Sequence, residues 1–578
     1  MIKRLLSCVG KYKWAAILAP VTIILEVILE TRIPLYISDI VDNGINGGGG
    51  ISYVLEVGGK MILMAILSMT CGVLSAKFAA VAGTGFAYNV RNTVFNKIQD
   101  FSFANIDHFS TPSLITRLTT DVNTVQMAFT SCIRMMVRAP VMLIMATWMA
   151  VQINAQLSLI FLVAIPVLGI SLAVITKKAM PRFSAMFKKY DALNASIQET
   201  LIAIRVVKAF VRGEHEIEKF EVSATDVQNA QKRAEKLIIL NGPIMQFAMY
   251  GCMIAVSWFG GIHILEGTMT TGLLMSFISY ITQILSSLMM VSFMFVMIVM
   301  ARTSIQRIGE VLNELPDIND DHADASLQVK DGSIAFEDVN FSYARNENNL
   351  TLEDVSFQIN PGETIGVIGG TGSAKSTLVQ LIPRLYDVYS GSVKVGGRDV
   401  RDYKIENLRD AVAMVLQVNN LFAGTIRENI CWGKEDATDE EVEAACRAAQ
   451  AHDFIMSFPD GYDTELEQGG VNVSGGQKQR LCIARALIKK PKIIIMDDST
   501  SAVDVATDAK IRQALRKNLQ GTTTIIIAQR ITSISDADKI IVMNDGRIDA
   551  IGTHDELMKN CEVYRQIAFS QLSKEELA

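Results

Sequence analysis

A bundle of six membrane-crossing helices followed by a water-soluble α/β domain is the fold class this sequence predicts, and three observations predict it. Hydrophobic residues make up 50% of the 578 and charged residues 20%. A chain of this length exceeds one core, so an apolar part and a polar part are expected to fold separately. Six long apolar stretches all precede residue 310, and after residue 332 short β-rich runs alternate with helical ones. That alternation is the pattern of a sheet flanked by helices.

The apolar stretches are Trp14–Ile37, Val57–Gly83, Phe129–Gln152, Gln156–Thr176, Leu237–Leu265 and Gly272–Met300, each long enough to cross about 30 Å of hydrocarbon. The first is too long for the apolar core of a secretion signal and lacks a small-residue cleavage site after it, so it is expected to remain as a span. No Lys or Arg lies in 33–59, 153–155 or 266–271. Lys3, Arg4, Lys11 and Lys13 precede the first stretch, Arg91, Lys97 and Arg117 follow the second, and a basic series from Lys177 to Arg212 follows the fourth. Positive charge concentrates on cytosolic connections, which puts both termini and the α/β domain in the cytosol. These connections keep helical periodicity, so the helices are expected to extend beyond the bilayer.

The domain division expected is 1–310 for the membrane part, 311–331 for a linker that turns polar and acidic at Pro316-Asp317-Ile318-Asn319-Asp320-Asp321, and 332–578 for the α/β part. A formal charge of -6 gives no basic signal, so nucleic acid is not an expected partner. The eight cysteines show no C-x-x-C spacing, which argues against a zinc site or a disulfide framework.

Strands are expected at Glu363–Ile368, Ala411–Leu416, Lys492–Met496, Thr522–Ile527 and Lys539–Met543. After the first comes Gly369-Gly370-Thr371-Gly372-Ser373-Ala374-Lys375-Ser376-Thr377, then a helix. A glycine loop between strand and helix offers backbone N–H groups to phosphate oxygens. Lys375 would reach the β- and γ-phosphates and Ser376 would ligate Mg²⁺. Ala374 stands where the general pattern has its second glycine; if that position needs φ > 0, the added Cβ costs about 1 kcal/mol or more. Downstream, Ile493-Ile494-Ile495-Met496 is an apolar strand ending in Asp497, a carboxylate placed to hold Mg²⁺ through water.

Upstream of that strand, Val473-Ser474-Gly475-Gly476-Gln477-Lys478-Gln479-Arg480 makes the set resemble the nucleotide-binding domain of ABC transporters, with Val473 where Leu is usual. With six spans before it, the whole chain resembles a half-transporter of the heterodimeric bacterial ABC exporter family, which includes multidrug transporters. The resemblance implies ATP and Mg²⁺ as cofactors, with Tyr343 stacking on adenine and Gln417 linking Mg²⁺ to the membrane domain. It further implies a D-loop at Ser501-Ala502-Val503-Asp504, and a signature, Ser474-Gly475-Gly476-Gln477, that covers ATP held by a partner subunit. His108–Pro112 with Leu118–Asp121 resembles the first coupling region, and Arg205–Phe210 precedes the second. The location implied is the bacterial cytoplasmic (inner) membrane.

Two positions depart from the family. Asp498 stands where hydrolysing sites carry Glu, and Gln529 where they carry His. Aspartate is one methylene shorter, and a base displaced by about 1 Å loses roughly 100-fold in rate. An amide donates a hydrogen bond but carries no proton at neutral pH. Gln468 also replaces a Glu common before the signature. Asp498 and Gln529, beside an intact Ser474-Gly475-Gly476-Gln477, imply the degenerate-site subunit of a heterodimer, whose partner is a homologous half-transporter with intact Glu and His and whose cargo is an amphipathic small molecule. A non-hydrolytic ATP-gated subunit, a slow homodimer using Asp498 as base, and lipid or peptide export stay open as alternatives.

Glu26 lies 12 residues after Trp14, about 18 Å into the bilayer, with Glu30 one turn on. Membrane carboxylates face a cavity or a partner: these two either attract cationic substrates or pair with Arg32 or a neighbouring span. Arg134 and Arg138 are expected near the cytosolic end of the third stretch. The sixth is rich in methionine, which suits either helix packing or promiscuous apolar binding.

Overall fold

The computed structural model describes residues 2–321, 323–498, 505–518 and 521–571. Its contacts divide into two units, Met1–Gln99 with Ser110–Glu314, and Asp100–Phe109 with Leu315–Ala578.

In the first unit, six helices among the described residues are long and apolar enough to cross a membrane: Gly10–Asn46, Gly50–Gln99, Thr111–Ile153, Ala155–Ile202, Gly213–Leu265 and Thr271–Val291, here spans one to six. The helices outrun the apolar stretches; Ala155–Ile202 has 48 residues, about 72 Å at 1.5 Å per residue. Span one is not one helix but Lys13–Glu30, Ile33–Asp39 and a π-helical turn Ile40–Asn46. Pro34 lies in the first turn of the second segment, where its missing N–H breaks no helical bond. Span six satisfies the backbone oxygens at this break, Tyr280 donating its hydroxyl to the Thr31 carbonyl at 2.7 Å and Ser276 to that of Pro34 at 2.5 Å. Stacked Phe161 and Phe277, 5.4 Å between centroids, lie in the helical core, while Leu162 and Ile170 stay exposed, as positions facing lipid do.

Arg138 is not at a cytosolic end. One of its Nη atoms is paired with Glu26 and the other with Glu30 Oε2 at 2.8 Å, so span three neutralises both carboxylates of span one. A one-turn spacing puts Glu26 and Glu30 on the same helix face, where a forked guanidinium reaches both. Gly72 of span two is the close neighbour on the other side: a Cβ there would lie 3.1 Å from the Glu26 carboxyl carbon.

Asp121, from the segment matching the first coupling region, is fully buried and accepts from Ser304 and Arg307 of the span-six helix, each at 2.7 Å. Arg117 meets Glu310 at 3.0 Å on the same helix. Buried charges persist only when paired, so these bonds bind residues 117–121 to the helix that leads into the second unit.

In the second unit the sheet elements are β1 (Ile334–Phe341), β2 (Leu352–Ile359), β3 (Thr364–Gly369), β4 (Ser390–Val395), β5 (Arg398–Asp399), β6 (Val412–Val415), β7 (Gly424–Thr425), β8 (Glu465–Leu466), β9 (Ile493–Asp497), β10 (Thr523–Ile527), β11 (Lys539–Asn544) and β12 (Arg547–Gly552). The central sheet runs β12-β11-β3-β10-β9-β6, all parallel except β12. Its five parallel strands are the five runs expected from sequence. Their side chains are almost continuously buried, as strands covered on both faces must be. A separate antiparallel sheet, β2-β1-β4-β5, carries the chain into the site.

The stretch expected as a linker, 311–331, does not behave as one. The span-six helix continues to Asn313, and from Leu315 the chain packs within the second unit. There Asp320 Oδ1 accepts from Ile405 N at 2.9 Å and Asp324 N donates to the Asp402 carbonyl at 2.9 Å. Asp317 pairs with Arg345 at 3.2 Å, and Asp324 Oδ1 accepts from Ser326 in a local turn at 2.9 Å. Asp100–Phe109 belongs to the same unit: Asn105 donates to the Leu315 carbonyl at 3.2 Å, and Asp107 accepts from the Tyr386 hydroxyl at 2.7 Å.

Candidate nucleotide site

β3 ends at Gly369, where a Cβ would collide with the Met543 carbonyl of β11, so the strand's last residue has to be glycine. The loop then turns through Gly372 at φ +85° and Ala374 at φ +67°, ψ +23°, before helix Lys375–Gln380 begins. The left-handed conformation at 374 is therefore real, and alanine there is strained by about 1–2 kcal/mol. Since Ala374 already adopts the required geometry, Ala374→Gly is expected to relieve strain only and to change ATP affinity by no more than about fivefold. Titration with a fluorescent ATP analogue checks this; abolished binding would contradict it.

The opening at Gly370 and Gly372 is free, with no atom within 4 Å of an added Cβ. Lys375 Nζ crosses the loop, donating to the carbonyls of Gly369 at 3.0 Å and Gly370 at 2.7 Å. Burial lowers its pKa, opposed by the charges of Asp497 and Asp498. Ser376 donates to Asp497 Oδ1 at 2.9 Å. Burial raises the pKa of Asp497, and this bond opposes the rise. A hydroxyl and a carboxylate from two elements, side by side under a glycine loop, fit a hydrated Mg²⁺ on a triphosphate.

β9 and β10 are parallel neighbours with Asp497 opposite Ile527, which brings the residues following them together. Asp498, at φ +48°, donates its N–H to the Ile527 carbonyl at 3.1 Å. Its Oδ2 accepts from Gln529 Nε2 at 2.7 Å. Burial is the main cause of a raised Asp498 pKa, with Gln529, Lys375 and Arg530 acting against it. The two departures from the family pattern thus form one hydrogen-bonded pair. Gln571, of helix Glu562–Gln571, fixes it from behind: its Nε2 donates to the Gln529 carbonyl at 2.7 Å and its Oε1 accepts from Ile531 N at 2.9 Å. Sequence reading missed Gln571, since a lone glutamine near a terminus carries no pattern.

Tyr343 follows β1. Its hydroxyl lies 3.0 Å from Thr377 Oγ1, and its ring, half exposed, meets Tyr386 edge-on at 5.1 Å. Tyr386, also missed, joins this ring to Asp107. Gln417 is exposed just past β6, whose partner is β9. It therefore stands at the same strand ends as Asp497, where open α/β sheets bind ligands. Ser474 caps helix Gly475–Leu487 in a mutual bond with Gln477, at 2.8 and 3.3 Å. Exposed Ser474 shares no hydrogen bond with the glycine loop among the described residues. Ser501 and Asp504 lie outside the described residues.

Six membrane-length helices joined in one chain to this phosphate-binding sheet define an ATP-dependent membrane transporter. Residues 16–306 match the ABC transporter transmembrane region and residues 352–501 the ABC transporter family. The ABC transporter ATP-binding protein YfiB of Bacillus subtilis is 38% identical over 99% of both chains. YgaD of the same organism, named as a multidrug export ATP-binding/permease protein, is 32% identical over 98% of both. An ATP-dependent lipid A-core flippase of Desulfotalea psychrophila is 32% identical over 86% of this chain and 87% of its own. A bacterial Atm1-family ABC exporter solved with ATP bound superposes with a TM-score of 0.83 at 25% identity, over 98% of this chain and 99% of that one. The chain belongs to the ABC transporter family as a half-transporter of the exporter type.

Proposed function

We propose that this chain is the degenerate-site half of a heterodimeric exporter in a bacterial cytoplasmic membrane, moving amphipathic small molecules outward by alternating access. The observation that carries the reading is the Asp498–Gln529 pair. The carboxylate in the base position is short by a methylene and already engaged by an amide that cannot relay a proton. ATP and Mg²⁺ would be held by the glycine loop, Ser376, Gln417 and Asp497, and the metal would supply neutralisation of phosphate charge. Lys375 positions the phosphates and Tyr343 the adenine. Exposed Ser474 and Gly475, with half-buried Gly476 and Gln477, complete the site of a partner that keeps Glu and His. ATP retained at the slow site holds the cytosolic domains together while the partner's hydrolysis resets the cycle, a shift of populations through differential nucleotide affinity.

An amphipathic cargo is supported by two relatives, one named for multidrug export and the other for flipping lipid A-core. The trans arrangement has a direct test. In the assembled heterodimer, Ser474→Arg is expected to cut ATP turnover by about 100-fold or more by striking the partner's active site, while Lys375→Ala, serving the slow site, costs about tenfold or less. Steady-state ATPase rates of the two variants decide; equal loss to background would mean two equivalent, strictly coupled sites.

A further inference from the structure

Past β10 the chain is anchored twice. Ala528 donates its N–H to the Val367 carbonyl of β3 at 3.2 Å. Three residues on, the short turn Ile531–Ser533 is sunk into the domain: Ile531 is 1% exposed, and buried Ser533 donates to Asp508 Oδ2 at 3.2 Å. That carboxylate oxygen also accepts from Arg512 Nε at 3.2 Å. Between the anchors run exposed Gln529 and Arg530. Among the described residues the Gln529 backbone makes one hydrogen bond, in which its carbonyl accepts from Gln571 Nε2 at 2.7 Å. The same side chain accepts from Ile531 N through Oε1 at 2.9 Å. A single amide therefore spans the free segment, with its donor on one side of Arg530 and its acceptor on the other.

Helix packing sets this amide in place. Tyr564 and Ala568 of helix Glu562–Gln571 are fully buried in the core that also holds Ile531, and the Tyr564 hydroxyl lies 2.7 Å from His554 Nδ1. Residues three apart share a helix face, so the face that buries Ala568 carries Gln571 toward Ile531. Gln571 itself is exposed at the helix end, and exposed hydrogen bonds contribute little to stability. What they hold is Gln529. Gln529 Nε2 donates to Asp498 Oδ2 at 2.7 Å, and Asp498 and Lys375 lie close enough for each to feel the other's charge. A lysine of a glycine loop reaches the β- and γ-phosphates, so the Gln529–Asp498 pair stands at the end of the site that ADP leaves empty.

We propose that Gln571 is a positioning residue for the nucleotide: through the Gln529 backbone, helix Glu562–Gln571 sets the amide that meets the γ-phosphate, and with it the margin by which the site prefers ATP to ADP. Without the clamp, Gln529 and Arg530 are free to swing between Ala528 and Ile531, and holding them again costs conformational entropy at the moment ATP binds. ADP, which does not reach Gln529, is spared that cost. The inference rests on reading this loop as a nucleotide site and not on the identity of the partner subunit.

Amide hydrogen exchange and nucleotide titration of the full chain in detergent test the clamp and its consequence separately. Gln571→Met keeps the length of the side chain and removes both bonds. It is expected to speed exchange at Ile531 about tenfold in the nucleotide-free protein. It should weaken binding of a fluorescent ATP analogue about tenfold and of the matching ADP analogue by less than about twofold. Gln571→Glu keeps an acceptor for the Ile531 N–H and loses the donor to Gln529, so exchange at Ile531 should stay near wild type while ATP binding falls. Both variants should melt with the wild type, since Gln571 is exposed. Unchanged exchange in Gln571→Met, unchanged ATP affinity, or equal loss for ATP and ADP would overturn the proposal. A wild type that binds ATP no more tightly than ADP would overturn the reading of the γ-phosphate end and this inference with it, whereas unchanged exchange alone strikes the clamp and leaves that reading intact.

Discussion

Asp498→Glu combined with Gln529→His is expected to raise hydrolysis at this chain's own glycine loop by about 100-fold. The rest of that site is assembled: Lys375 lies over the loop, Ser376 meets Asp497, and Tyr343 stands beside Thr377. Apart from Ala374, only the groups that handle the proton differ. Glutamate restores the missing methylene, and histidine replaces an amide that holds Asp498 at 2.7 Å. Each single change should recover less, because the pair acts as a unit. Single-turnover hydrolysis in the heterodimer, with the partner's catalytic Glu changed to Gln, isolates the effect. No gain from the double change would place the defect elsewhere, for instance at Ala374.

Arg138→Ala is expected to be the most damaging substitution in the membrane unit. It leaves Glu26 and Glu30 without their shared cation at about mid-bilayer depth, and removing one partner of a buried ion pair typically costs about 3–5 kcal/mol. Glu26→Gln should be milder and of the same kind, lowering the melting temperature and all transport together, since Arg138 keeps Glu30. The pairing thus favours a structural role over attraction of cationic cargo. Transport of a cationic dye and a neutral compound, read beside a melting curve, separates the two. Selective loss of the dye by Glu26→Gln at unchanged melting temperature would return Glu26 to the substrate path.

The parallel sheet was legible because β3, β6, β9, β10 and β11 are largely buried and so read as apolar runs, β3 ending at Gly369 and β9 at Asp497. The antiparallel sheet was not. Register shifts in β1 and its partly exposed residues blur the alternation on which strand recognition depends. Within the site, Lys375, Ser376 and Asp497 were legible from motif spacing, and the strand order brings them together. Tyr386 and Gln571 act only through neighbours brought close by folding, and nothing local marks them. Arg138 illustrates the same limit: its charge predicted a membrane edge, whereas its partners lie on a helix 108 and 112 residues away. The acidic run after Pro316 read as a linker because the partners of Asp317 and Asp320, Arg345 and Ile405, are distant in sequence.

Whether this chain needs a non-identical partner to turn over ATP is decided by the ATPase rate of the purified chain alone in lipid, beside that of the co-expressed pair. The single chain is expected to bind Mg-ATP, with turnover about 100-fold or more below that of the pair. Robust turnover by the chain alone, abolished by Asp498→Asn, would contradict it and make Asp498 a working base in a homodimer.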